Sequence, residues 1–235
     1  MRKQLFKKGL THAIPIALAY FSVSFGFGIM AEKSGLTVWQ AALLSITNLT
    51  SSGQVAGVGV IAAGGTYLET AMTQLVINLR YALMGLSLTQ KLEDGYTLPQ
   101  RLVTAYVLTD EVFVLASSQD KVRPWYVYGL LTAAVVSWTS GTALGAAAGG
   151  ILPTALSDAM GIILYGMFLA LFIPAAKKER SVLVVVCVAA ACSVLFRFVF
   201  TAVSGGFALI ISTMIAAAVG AVLFPIPEET AENAV

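Results

Sequence analysis

Residues 181–203 read SVLVVVCVAAACSVLFRFVFTAV, and after one serine residues 205–224 read GGFALIISTMIAAAVGAVLF. Each run has about the twenty mostly apolar residues that a helix needs to cross the hydrocarbon layer of a bilayer. Arg197 is the only charge in either. A membrane β-barrel would instead show alternating segments of about ten residues, and no such alternation is present. The rest of the chain has the same character: 58% hydrophobic residues, 11% charged and a mean hydropathy of +0.85. A soluble domain carries roughly a quarter charged residues, so this chain has too little polar side chain to cover a soluble core.

Working outward, further apolar runs fall at 13–31, 38–63, 66–88, 101–118, 125–151 and 159–175. The expected fold is all-α, a polytopic transmembrane helix bundle of about eight spans, or seven if 101–118 does not cross. It forms one transport domain, 1–225, followed by an acidic tail, 226–235, expected to be disordered. Two similar halves would fit the internal repeats many transporters carry. Lys and Arg in short loops set orientation. With the N-terminus inside, one face collects Arg2, Lys3, Lys7, Lys8, Lys121, Arg123, Lys177, Lys178 and Arg180, and the other Lys33, Lys91 and Arg101. Both termini are therefore expected in the cytoplasm, and the chain in the cytoplasmic (inner) membrane.

The second run is interrupted by Thr47-Asn48-Leu49-Thr50-Ser51-Ser52-Gly53-Gln54. A broken helix frees N–H and C=O groups at membrane depth, where they bind substrate or ions. Asn48, Ser51, Ser52 and Gln54 are candidate path residues on this ground, against the alternative of a polar kink satisfied within the bundle. The Asn48-Leu49-Thr50 sequon lies at membrane depth and is discounted as a glycosylation site. In the third run Gln74, Asn78 and Tyr81 share one helical stripe, and Thr73, Arg80 and Ser87 another. An uncompensated Arg at a helix centre costs about 2.5–3.5 kcal/mol, so Arg80 calls for a partner or a wet cavity. Asp110 and Glu111 in the fourth run are the natural partners, one to balance Arg80 and the other to titrate or meet a substrate ammonium. Read as one continuous helix, this run puts Tyr106, Asp110 and Phe113 on a common stripe.

Other features read as structural. Gly141, Gly145 and Gly149 at four-residue spacing suit close helix approach. Ser193, Arg197, Thr201 and Ser204 form a stripe whose arginine can snorkel to the surface. Cys187 and Cys192 project from different sides of a helix, and His12 stands alone, so no metal site, disulfide or cofactor is expected. The small net charge of +2 leaves no nucleic-acid footprint. There is no P-loop pattern, and no nucleophile with a base, so an enzyme is not expected.

The run Asn78-Leu79-Arg80-Tyr81 with Met84-Gly85, the pair Asp110-Glu111, the Gly26-Phe27-Gly28 end of the first run and the break ending in Gln54 together resemble the AzlC family of branched-chain amino acid permease subunits. The family's third span commonly reads Asn-x-Arg-His and its break Ala-Gly-x-x-Gln. Here Tyr81 stands for the His and Ser51 for the Gly. The resemblance implies a two-component exporter of branched-chain and related hydrophobic amino acids, working with a small AzlD-type membrane subunit; the missing P-loop and the Asp110-Glu111 pair point to ion or proton coupling, and an oligomer is left open. A channel-like or assembly subunit without carrier activity of its own is the alternative.

Overall fold

A computed structural model of the chain describes residues 1–153, 155, 159, 162, 166, 169 and 172–225. Most of the expected sixth span, 159–175, and the whole of the 226–235 tail lie outside these residues. The described chain is helical, with only an isolated bridge between Leu92 and Val122 outside the helices. The helices are α1 (Arg2–His12), α2 (Ile14–Lys33), α3 (Val38–Thr47), α4 (Ser51–Ala62), α5 (Tyr67–Thr89), α6 (Leu98–Val107), α7 (Asp110–Ser117), α8 (Pro124–Gly149), α9 (Arg180–Phe198) and α10 (Gly205–Leu223). Four of them, α2, α8, α9 and α10, are long and apolar enough to cross a membrane. At about 1.5 Å per residue, α5 is about 35 Å long and also has the length to cross. The helical membrane bundle expected from the sequence is what the chain forms.

The chain divides into two compact units, one of Met1–Val55 with Asn78–Leu164, the other of Ala56–Ile77 with Tyr165–Val235. In the first, α2 and α8 run side by side in the same direction, and glycine is what allows it. A Cβ added at Gly145 would lie 2.0 Å from the Phe25 carbonyl oxygen, and one at Gly141 2.6 Å from that of Phe21. Gly28 returns the contact on the Thr142 carbonyl at 2.2 Å. Backbones this close are the purpose small residues serve between membrane helices. At one end of the pair Gly9 meets Tyr126 and His12 Nδ1 lies 3.1 Å from the Tyr126 hydroxyl; at the other Glu32 approaches Gly149. Tyr20 and Trp138 meet edge to face between these ends, with ring centroids 5.2 Å apart.

The second run is broken as expected: α3 ends at Thr47, and α4 starts at Ser51. The fourth run corrects the sequence reading. It is not one crossing helix but two short ones, α6 and α7, interrupted at Leu108 and Thr109. Nor does it reach the far side. Glu93 N–H donates to Val122 O at 2.9 Å and Val122 N–H to Lys91 O at 2.7 Å, so the chain before α6 lies against the chain after α7. Lys8 Nζ donates to Gln119 Oε1 at 2.9 Å and the Tyr126 hydroxyl to Leu115 O at 3.4 Å, fixing this meeting at the α1 end of the unit. The break reaches the level of Tyr20, whose hydroxyl lies 2.5 Å from Thr109 Oγ1. The segment thus dips to mid-depth and returns. Lys91, expected on the face opposite Lys121, is beside it: Lys91 Nζ donates to Ser117 O, Lys121 pairs with Asp94 at 2.9 Å and Arg123 with Glu93 at 3.1 Å.

The two broken segments are built alike. Gly35 (φ 89°) and Gly95 (φ 84°) supply left-handed turns that favour glycine. Two residues on, Thr37 and Thr97 open α3 and α6, and their N–H groups donate to Gln40 and Gln100 Oε1 at 2.8 and 2.9 Å. Each is a capping box, which satisfies the orphan donors of a helix start. After the break, Thr50 and Thr109 hydroxyls accept from Gly53 N–H and Val112 N–H at 3.0 and 3.3 Å to start α4 and α7. A Gly-x-Thr-x-x-Gln pattern therefore recurs sixty residues apart, at 35–40 and 95–100.

In the second unit α9 and α10 form a hairpin in which Gly220 faces Val185, and Gly57 faces the Gln74 side chain.

Candidate functional site

All nine residues singled out from the sequence belong to the first unit, and they fall into two groups around the two breaks. At the first break Gln54 is fully buried, which a polar side chain tolerates only when hydrogen-bonded. Its Nε2 donates to Ser45 Oγ at 2.9 Å and its Oε1 accepts from Trp138 Nε1 at 2.6 Å. Ser45 Oγ in turn lies 2.7 Å from Thr142 Oγ1. Gln54 is thereby a clamp joining α3, α4 and α8. Asn48 is the α3 C-cap, its N–H donating to Leu44 O at 2.9 Å, and Ser51 and Ser52 form the half-buried first turn of α4.

At the second break the groups are charged and partly open. Arg80 Nη1 lies 2.9 Å from Asp110 Oδ2, with the two side chains 47% and 44% exposed. The guanidinium stands 5.0 Å from the Tyr81 ring centroid and donates to its hydroxyl at 3.2 Å. Tyr81 is also hydrogen-bonded to Thr50, the cap of α4. Asp110 and Glu111 occupy the first turn of α7, where the helix dipole favours negative charge. Of the two, Asp110 takes the arginine, and Glu111 Oε2 accepts from the Tyr20 hydroxyl at 2.6 Å. Asn78, two residues before Arg80, is half-buried on the same helix.

The interruption before Asp110 removes the expected Tyr106–Asp110–Phe113 stripe. Tyr106, on α6, instead donates its hydroxyl to the Ile46 carbonyl, one of the orphan acceptors at the end of α3. The two breaks are therefore tied together directly by Tyr106, and also through the series Gln54, Trp138, Tyr20 and Thr109.

Tyr20 and Trp138 carry no signal in the sequence: they look like ordinary aromatic membrane residues until the breaks bring their polar ends together. The break at Thr109 did carry a signal: a Thr followed by Asp-Glu is the opening of a helix, an N-cap with acids in the first turn. Among the described residues no cluster of His, Cys, Asp and Glu is suited to a metal.

The arrangement offers, within a few ångströms, an exposed cation, an exposed anion and two half-helix starts. It can receive a small molecule carrying both charges.

Comparison with known proteins agrees with this membrane architecture. The family model described as AzlC protein matches residues 15–152. An uncharacterised membrane protein of Archaeoglobus fulgidus is 30% identical over 182 residues, covering 76% of this chain and 80% of its own. The inner membrane protein YgaZ of Escherichia coli K12 is 27% identical over 187 residues, 76% of each. No solved structure matches. The matched residues span α2, both breaks, the Arg80–Asp110 pair and α8, and the chain is a membrane protein belonging to the AzlC family.

Proposed function

We propose that this chain is the large subunit of a membrane carrier that exports branched-chain and related hydrophobic amino acids, together with a small AzlD-type membrane subunit. The observation that carries the reading is the Arg80–Asp110 pair, at 2.9 Å and about half exposed on both sides. Exposed ion pairs contribute about 0–1 kcal/mol to stability, so holding the fold together is a weak reason to place one inside a membrane segment. A zwitterionic amino acid matches it. The substrate carboxylate takes the Arg80 guanidinium, its ammonium takes Asp110, and the pair reforms when the substrate leaves. Such an exchange keeps both membrane charges compensated in the loaded and empty states, which the cost of an unpaired membrane charge demands. Phe113 and Met84 are among the apolar residues packed about the core beneath, available to an aliphatic side chain. Glu111, held by Tyr20, is the carboxylate whose protonation would couple flux to a proton gradient.

The test is efflux of preloaded labelled leucine, valine and methionine from cells expressing the chain with and without the small subunit. Losing a charge-assisted contact of about 1.5–3 kcal/mol slows transport by about ten- to a hundredfold. Arg80→Gln and Asp110→Asn are expected to lose at least that much flux while still inserting. Saturable efflux unchanged in both variants would rule out the pair as the site.

A further inference from the structure

The α9–α10 hairpin of the second unit lines a cavity of about 410 Å³ that the Arg80–Asp110 site does not use. Its polar lining includes Ser193 and Arg197 on α9 and Ser212 on α10, and its apolar lining Ala189, Phe196 and Leu209. Pockets of this size and mixed lining are the ones that hold small ligands. Two of the polar groups lack a partner. Arg197, in the last turn of α9, pairs with no Asp or Glu among the described residues. Glu69, the carboxylate at the start of α10, instead accepts from the Ser204 hydroxyl and from Gly206 N–H. Ser212 is 4% exposed and its Oγ has no hydrogen-bond partner, whereas a buried hydroxyl ordinarily has one.

These groups stand at different depths along the hairpin. α9 ends at Phe198 and α10 starts at Gly205, so Arg197 lies at the loop end. At about 1.5 Å per residue, Ser193 is about 6 Å and Ala189 about 12 Å further along α9, and Ser212 is about 10 Å along α10. Both helices are long and apolar enough to cross a membrane, so this order runs from the headgroup layer, where a terminal arginine places its charge, into the hydrocarbon. A cation at the mouth, an unpartnered hydroxyl donor below it and apolar walls around both match a molecule with an anion at one end, an acceptor beneath it and a hydrocarbon stem. A glycerophospholipid has that order: phosphate, ester carbonyls, acyl chains. Basic pockets between membrane helices bind anionic lipid headgroups. A choline headgroup would set a second cation beside Arg197, which favours a headgroup of net negative charge. Free phosphate has nothing to fill the apolar depth, and a fatty acid has no acceptor at the level of Ser212.

We infer that the cavity between α9 and α10 binds one anionic glycerophospholipid, of the phosphatidylglycerol type, with its phosphate on Arg197, an ester carbonyl on Ser212 and an acyl chain along Ala189, Phe196 and Leu209. Arg197 supplies the charge that draws the headgroup. Ser212 supplies the hydrogen bond that fixes the depth of the lipid, which an arginine reaching to the membrane surface would not do alone. The site lies in a different unit from the Arg80–Asp110 pair and stands independently of the amino acid reading.

The test is photo-crosslinking of the purified full-length chain in detergent with phosphatidylglycerol carrying a photoactivatable acyl chain, the label being mapped by peptide mass to residues 189–213. The wild type is expected to label there saturably, and unlabelled phosphatidylglycerol to compete at a concentration at least about tenfold below phosphatidylcholine, palmitate or inorganic phosphate, a difference of about 1.4 kcal/mol. Arg197→Gln is expected to need about tenfold more probe for half-labelling, and Ser212→Ala about threefold more, as for one neutral hydrogen bond. Lys121→Ala, which removes a cation from the other unit, should leave the half-point unchanged. Equal competition by phosphatidylcholine overturns the inference, and competition by palmitate or phosphate as strong as by phosphatidylglycerol makes the ligand a simple carboxylate or phosphate instead. A half-point that moves in Arg197→Gln but not in Ser212→Ala reduces Arg197 to a surface-seeking arginine and overturns it too. Should Arg197→Gln fail to fold, the competition series and Ser212→Ala still decide.

Discussion

The two broken helices share a plan and differ in what they put at the gap. Each starts from a left-handed glycine, is opened by a Thr–Gln capping box, runs ten residues and restarts on a threonine. In the first, Gln54, in the opening turn of the restarted helix, is fully buried and bonded to Trp138 and Ser45. In the second, the restart carries Asp110 and Glu111, and Asp110 meets Arg80 half in the open. The difference teaches that a helix break inside a membrane protein is not by itself a binding site. A neutral break whose buried amide is fully bonded within the protein acts as a joint, because that amide gains nothing from a ligand. A charged, half-exposed break retains groups a ligand can satisfy better than the protein does.

Variants in each gap separate a joint from a binding site. Asp110→Asn is expected to have the largest effect, a loss of about tenfold or more in efflux with little change in Tm. Gln54→Leu should show the opposite pattern. It strands the buried Trp138 N–H at a cost of about 1–3 kcal/mol, lowering Tm, while efflux per folded molecule stays near wild type. Strong loss of specific flux in Gln54→Leu, with Tm intact, would make the first break the site instead. Tyr106→Phe removes one link between the breaks, and a net hydrogen bond of about 0.5–1.5 kcal/mol should appear as a modest drop in Tm. The smallest effect is expected at the loop closing the second segment. Lys121→Ala frees Asp94, whose carboxyl Lys121 holds below the usual carboxylate range. That pair can contribute only above the ordinary carboxylate pKa and is lost on acidification, but both side chains are exposed, 57% and 95%. No resolvable change of Tm is expected at neutral pH.

The sequence is legible where one physical signal dominates. Twenty-residue apolar runs fix α2, α8, α9 and α10, because backbone groups in lipid have no alternative to a helix. The break at 48–50 is visible because Thr50 to Gln54, four polar residues and a glycine, interrupt an apolar run. The second break is harder to see. Thr109 is one polar residue, and a Thr-Asp-Glu sequence looks the same inside a helix as at the head of one. That ambiguity placed Lys91 and Lys121 on opposite faces, since charge counting inherits any error in the number of crossings. The pairing of Arg80 with one of two carboxylates follows from the cost of an unpaired charge. The choice between Asp110 and Glu111 does not, because it depends on where α7 begins.

The account rests on the fourth segment dipping to mid-depth and returning, since that is what brings Asp110 to Arg80 and both flanking loops to one surface. The direct measurement is labelling of single cysteines at Lys91 and Lys121, in a chain with Cys187 and Cys192 replaced by serine, using a membrane-impermeant thiol reagent on intact cells and on inverted vesicles. Both positions are predicted to label from the same side. Labelling from opposite sides would make 98–117 a crossing span and contradict the arrangement of the second break.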